Sequence, residues 1–309
     1  MNRDNLIKRL VFAAWAIPAG WLIINANLSL VPPAVARRIF SDPATQVYPA
    51  HVAAVLLVFL GASEYLRMLG LSYPRNGFWI VYVWLALQMA SHFMPESTLG
   101  ASADIFILFV LVAIEAFVWG RKTERRWRRA SMLFSGTAFF SIAGLYMLAF
   151  YDAPFQDVFA SRFTSPLTAQ MGIITVVAAI FFCDTAAYFA GSLWGTHRFS
   201  SISPKKTIEG SVAGLVAATV VTTLGWQFLS TPAARDKYGI ALGILLGIVI
   251  GVFAQIGDLV VSLMKRYFRV KDASDLIPGH GGVLDRFDSV FFASPAVHLF
   301  VSIVTRIVP

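Results

Sequence analysis

The feature that most constrains this chain is a succession of long, uncharged apolar runs. A helix needs roughly 20 apolar residues to cross a bilayer. Runs of about that length occur near 9–30, 48–68, 76–94, 102–120, 131–151, 169–194, 207–229, 239–264 and 288–307. Hydrophobic residues make up 57% of the sequence and charged residues only 14%, which excludes an ordinary soluble domain. The runs are continuous and do not alternate with a period of two, so a membrane β-barrel is excluded as well. The expectation is an all-α, polytopic integral membrane protein with about nine transmembrane helices. Pro18 and Pro295 fall inside runs, where proline kinks a helix. Lys8-Arg9 and the run after them have the look of a signal peptide. That run is long, contains Trp15 and Trp21 and is followed by others, so it reads as an uncleaved first helix. The single cysteine, Cys183, allows no intramolecular disulfide.

The net charge of +8 is not spread evenly. With the N-terminus in the cytoplasm, 19 of the 25 Lys and Arg fall in cytoplasmic segments, as the positive-inside rule asks. This orientation places the polar loops 195–206 and 265–287 together on the cytoplasmic side of a cell membrane. The basic run Arg121 to Arg129 reads as a stop anchored on anionic headgroups. There is no zinc-type spacing, no P-loop and no basic run interleaved with aromatics. The chain divides by character. Residues 1–168 are apolar with few motif-like residues and serve membrane embedding, dimerisation or lipid access. Residues 169–309 concentrate acidic groups within or beside the runs, and a catalytic region is expected there.

Ionisable groups inside a span are costly and each demands a reason. Asp184 lies in the middle of the run 169–194, ahead of a small-residue stripe of Ala187, Gly191 and Gly195. That stripe suits either close helix packing or approach by a ligand. Asp258 begins a second series. Asp258, Ser262, Lys265 and Arg266 are spaced to share one helical face, with apolar residues opposite. A polar stripe ending in two cations resembles the wall of a site open to the cytoplasm. A salt-bridged packing stripe is the alternative.

The segment from Lys271 to Asp288 contains Pro278, Gly279, His280, Gly281 and Gly282, a loop whose backbone can approach a ligand closely. Asp285 and Asp288 follow on one face of the last helix, flanking Arg286. Carboxylates beside phosphate-binding groups suit Mg²⁺, which is commonly held by one or two carboxylates together with substrate phosphates. Upstream, Ser203 and Pro204 suit the N-cap and first position of the helix from 207, which puts Lys205 and Lys206 in its first turn. Cations are disfavoured there unless an anion binds, although positive-inside topology also wants lysines at this place. Together these pieces match phosphoryl or nucleotidyl transfer to a lipid, chemistry in which a protein mostly positions reactants and neutralises charge.

The series Ser262-x-x-Lys265-Arg266, Lys271-Asp272-x-Ser274, Ile277-Pro278-x-His280-Gly281-Gly282-Val283-x-Asp285-Arg286-Phe287-Asp288 resembles the defining motif of the phosphatidate cytidylyltransferases, or CDP-diacylglycerol synthases. Asp184-Thr185-x-Ala187-Tyr188 and Ser203-Pro204-Lys205-Lys206-Thr207-x-Glu209-Gly210 are similar to the same family. The resemblance covers about 170–290, and reaches the N-terminal half only through hydropathy. Ile208 stands where many relatives have an aromatic residue, and Cys183 where a small one is frequent. What the resemblance implies is CTP and phosphatidate as substrates and Mg²⁺ as cofactor, with a second cation as a further option. It implies metal at Asp258, Asp285 and Asp288, with Asp184 a weaker candidate. It implies phosphate contacts from Lys205, Lys206, Lys265, Arg266, Lys271 and Arg286. Ser203, Ser262 and His280 would line the site, with Gly281 and Gly282 in its loop. It also implies a homodimer. Competing expectations are an enzyme acting on another lipid phosphate, and a transporter or scaffold with a non-catalytic polar site. A transporter predicts inverted repeats with paired broken helices, and the sequence has none.

Overall fold

The computed structural model describes residues 48–70, 79–93, 108, 123–151, 158, 168–200, 203–277, 279 and 281–308. Among these the regular structure is helical: α1 Pro49–Met68, α2 Trp79–Ser91, α3 Thr123–Leu148, α4 Thr168–Trp194, α5 Ile208–Leu229, α6 Pro232–Tyr267 and α7 Leu284–Ile307. A 3-10 turn, Ala149–Tyr151, ends α3. Six of these helices hold stretches long and apolar enough to cross a membrane, and α2 is a shorter apolar helix. The chain is a multi-pass membrane protein. The expected spans 9–30 and 102–120 lie outside the described residues, apart from Leu108.

Two apolar cores hold the helices together. One joins α4, α5, α6 and α7 through residues such as Ile180, Ala218, Trp226, Leu246 and Val297. The other joins α1, α2 and α3 through Val58, Trp84, Leu85 and Phe140, and reaches Val261, Leu284 and Phe291 on α6 and α7. The last helix therefore has two buried faces, one for each half of the chain. Ile208, Val212, Val216, Val220 and Leu224 form an exposed apolar line four residues apart along α5. Such a face suits lipid.

Small residues set how closely the helices approach. A Cβ on Gly214 would lie 2.8 Å from the Cys183 carbonyl of α4, and one on Gly247 would lie 2.5 Å from Thr219 Cα of α5. The stripe on α4 is used the same way. A Cβ on Gly191 would sit 2.9 Å from Thr207 Oγ1, so this stripe serves packing. Gly239 interrupts α6 with φ 66°, a conformation open to glycine, and its carbonyl accepts from Trp226 Nε1 at 2.9 Å. The long apolar part of α6 starts there, where the run from 239 is expected. Pro295 lies inside α7, and the helix continues through it.

Candidate active site

The loop before α5 departs from the expected capping. The helix starts at Ile208, and Thr207, extended at φ −118°, accepts from Gly210 N at 3.1 Å as its N-cap. Ser203 is not the cap, and Lys205 and Lys206 are not in the first turn. Ser203 to Lys206 form a reverse turn, with Lys206 N donating to the Ser203 carbonyl at 3.0 Å. That turn closes a short antiparallel pairing of Arg198 with Thr207, tied by Phe199 N to Lys206 O at 2.8 Å and Ile208 N to His197 O at 2.9 Å. The backbone pairing of Arg198 with Thr207 holds Thr207 extended, so the helix takes its cap there. Glu209 pins the base of the turn, accepting from Thr196 Oγ1 at 2.7 Å and pairing with His197 Nδ1 at 2.7 Å. The dipole mismatch argued from sequence thus disappears, because both lysines lie ahead of the helix.

The turn delivers Lys206 to α6. Its Nζ lies 2.5 Å from Asp258 Oδ2, with both side chains about one-third exposed or less. Ser262 Oγ donates to Asp258 Oδ1 at 3.3 Å, one helical turn along. The polar face expected from the spacing is present, and it extends to α7, where Lys265 Nζ lies 2.6 Å from Asp285 Oδ1. Arg266, Lys271, Lys205 and Arg286 are exposed, while Ser203 is half-buried. His280 lies outside the described residues.

Asp184, Asp258 and Asp288 come from α4, α6 and α7. Asp184 and Asp288 each sit within the electrostatic field of Asp258, and Asp288 also within that of Asp184. Lys206 and Arg286 offset the charge at Asp184, and Lys265 offsets it at Asp288. Asp288 is buried, and its Oδ1 accepts from Ser289 N at 2.6 Å. A Cβ on Gly257 would lie 2.7 Å from the Asp288 carbonyl, so glycine lets α6 and α7 meet at this level. Among the described residues no three His, Cys, Asp or Glu side chains form a ready-made metal cluster. Hard carboxylate oxygens nevertheless suit Mg²⁺, which takes one or two of them and completes its shell with water and phosphate.

Asp285 has a different environment. Its Oδ2 accepts from Ala273 N at 2.8 Å and Gly282 N at 2.9 Å, while Oδ1 takes Lys265. Gly279 and Gly281 have φ of 76° and 81°, and Ile277 N donates to the Gly281 carbonyl at 2.8 Å. A Cβ on Gly281 would stand 2.8 Å from Asp285 Oδ2. Several N–H groups of the glycine-rich loop therefore point at the protein's own carboxylates. The second of these carboxylates is Glu64 of α1, which sequence reasoning missed. Glu64 is 1% exposed and accepts from Ser274 Oγ at 2.6 Å, Val283 N at 2.9 Å and Leu284 N at 2.7 Å. The signal was available: an ionisable residue inside an apolar run, the criterion that singles out Asp184.

The model of the cytidylyltransferase family matches residues 39–304. A Synechocystis protein named phosphatidate cytidylyltransferase is 30% identical over 81% of this chain and 87% of its own length. Proteins of the same name from Staphylococcus haemolyticus and Bacillus subtilis are 39% and 38% identical over 41% and 42% of this chain. The chain spans about half the length of those two relatives, 47% in each case.

Proposed function

The chain belongs to the cytidylyltransferase family, and from that premise we propose that it transfers the cytidylyl group of CTP to phosphatidate, giving CDP-diacylglycerol and pyrophosphate. The observation that carries the reading is the meeting of Lys206 with Asp258, beside Asp184, Asp288 and the Lys265–Asp285 pair. Together these are four carboxylates and several cations in one polar site between apolar helices.

The reaction needs a phosphate oxygen of phosphatidate to attack the α-phosphorus of CTP, with pyrophosphate departing. A lipid phosphate is ionised near neutral pH, so no strong general base and no covalent enzyme intermediate are required. The protein's share is to bring two anions together and to neutralise the charge on the leaving group. Lys206 and Lys265 are held in place by Asp258 and Asp285, ready to exchange those partners for phosphate oxygens. Exposed Lys205, Arg266, Lys271 and Arg286 would receive the triphosphate, and Ser203, Ser262, His280, Gly281 and Gly282 would line the path. Asp258, Asp288 and Asp184 would hold Mg²⁺. Asp285 could join them only through Oδ1, since Oδ2 is committed to the backbone. When bound, Mg²⁺ supplies charge neutralisation across the phosphates.

We further propose that the site faces the cytoplasm with the N-terminus on the same side, a reading that the distribution of Lys and Arg supports. In this reading residues 169–309 carry the reacting groups, residues 1–168 embed and support them, and two copies associate as a homodimer.

The test is conversion of phosphatidate to CDP-diacylglycerol by the purified protein with CTP and Mg²⁺, product identified by mass. Activity that vanishes in Asp258→Asn supports the proposal. A well-folded protein that adds no cytidylyl group to any lipid phosphate contradicts it. Phosphatidate is to be compared with an ether-linked lipid phosphate, which separates the two substrate classes.

A further inference from the structure

The last helix begins without a cap of its own. Val283 stands at the N-cap position with helical backbone angles and makes no side-chain hydrogen bond to the helix. The N–H groups at a helix start need partners, above all when buried. Here they come from another part of the chain. Glu64 of α1 takes Val283 N on one carboxylate oxygen and Leu284 N on the other, across 219 and 220 residues of sequence. The oxygen that takes Val283 N also takes Ser274 Oγ. All three partners are donors, as an ionised carboxylate requires, and each of its oxygens accepts at least one hydrogen bond.

Glu64 and Asp285 grip the same segment. Asp285 holds Ala273 N and Gly282 N, while Glu64 holds Ser274, Val283 and Leu284. Gly282 fits between them, since a Cβ there would lie 2.5 Å from Glu64 Oε2. Glu64 is itself fixed. Its neighbour Tyr65 donates to the Met132 carbonyl of α3 at 2.8 Å, and a Cβ on Gly61 would press on Phe140 and Phe291.

We infer that Glu64 is a positioning residue for the transfer reaction: it fixes the first turn of α7, and through it Asp285, Arg286 and Asp288, from the N-terminal half of the chain. The inference rests on the cytidylyltransferase reading of the site. It makes α1 part of the working unit and gives the apolar half a role beyond embedding.

The experiment compares wild type with Glu64→Gln, Glu64→Asp and Ser274→Ala, each reconstituted in lipid nanodiscs. Two readouts are taken: kcat and KM for CTP and phosphatidate per folded molecule, and hydrogen exchange of residues 273–288. Glu64→Gln is expected to lower kcat about tenfold to a hundredfold, as small misplacements of reacting groups do, with KM for phosphatidate nearly unchanged. Exchange at 282–285 is expected to rise. Ser274→Ala keeps the carboxylate and is expected to lose about fivefold or less, consistent with one hydrogen bond. Glu64→Asp is expected to recover part of the lost kcat. Wild-type kcat in folded Glu64→Gln, or unchanged exchange at 282–285, would overturn the inference. If Glu64→Gln does not fold, the other two variants decide: wild-type kcat and exchange in both would also overturn it. An inactive wild type would instead count against the transfer reaction itself, while the exchange readout would still test the grip of Glu64 on α7.

Discussion

Lys206 Nζ lies 2.5 Å from Asp258 Oδ2, which ties the turn ahead of α5 to the polar face of α6. Each group neutralises the other, and in the proposed reaction each has a second use when a triphosphate arrives. Lys206→Ala is therefore expected to reduce kcat/KM for CTP by about tenfold to a hundredfold, the range for losing a hydrogen bond to a charged group. Lys206→Arg is expected to retain more activity than Lys206→Ala. Steady-state kinetics at varied CTP checks both.

The pair Lys265–Asp285 is more enclosed, with side chains 16% and 6% exposed. Removing one partner of such a pair costs about 3–5 kcal/mol because it strands the other. Asp285→Ala also leaves Ala273 N and Gly282 N without their acceptor. A marked fall in thermal midpoint is expected. The double variant Lys265→Met with Asp285→Leu is expected to regain part of that stability and none of the activity. Thermal melts beside the transfer assay separate the two effects.

Helix contact at glycine is a third point. At Gly247 an added Cβ would sit 2.5 Å from Thr219 Cα, a backbone atom that cannot step aside. Gly247→Leu is expected to force α5 and α6 apart and to lower the thermal midpoint strongly, as overpacking does at about 1–3 kcal/mol or more. Val212→Leu, at an exposed position of α5, is the control for added volume away from the helix contact. A melt of each variant in the same detergent is the measurement.

Chelation gives a fourth. The carboxylates Asp184, Asp258 and Asp288 crowd one another, and Lys206, Arg286 and Lys265 offset that repulsion only in part. EDTA is expected to abolish transfer and to lower the thermal midpoint, because a cation bound to the folded site stabilises it. Asp184→Asn is expected to raise the Mg²⁺ concentration needed for half-maximal rate, while leaving turnover at saturating Mg²⁺ closer to wild type than Asp258→Asn does. Mg²⁺ titrations of rate provide the check.

Much of the site was legible in the sequence because membrane spans punish polar residues. Asp258, Ser262 and Lys265 stand out against apolar neighbours, and their spacing places them on one face. The positive-inside count put the turn with Lys206 on the same side as that face, and the two meet. What was not legible depended on partners far away in the chain. Ser203 and Thr207 are both good caps, and only the pairing of Arg198 with Thr207 decides between them. Asp285 looks like a metal ligand in one dimension. In three it is also a clamp on backbone N–H groups, a role set by how the loop from Lys271 to Gly282 folds back. Glu64 sits inside an apolar run, and its partners lie at the far end of the chain.

The most direct test of the central claim follows the phosphorus atoms of CTP. The protein is incubated with phosphatidate, Mg²⁺ and CTP labelled at either the α- or the γ-phosphate. The account predicts that the α-label enters lipid, that the γ-label leaves as pyrophosphate, and that Asp258→Asn and Lys206→Ala suppress both. Transfer of the γ-label to lipid, or no label in lipid from either position, would contradict it.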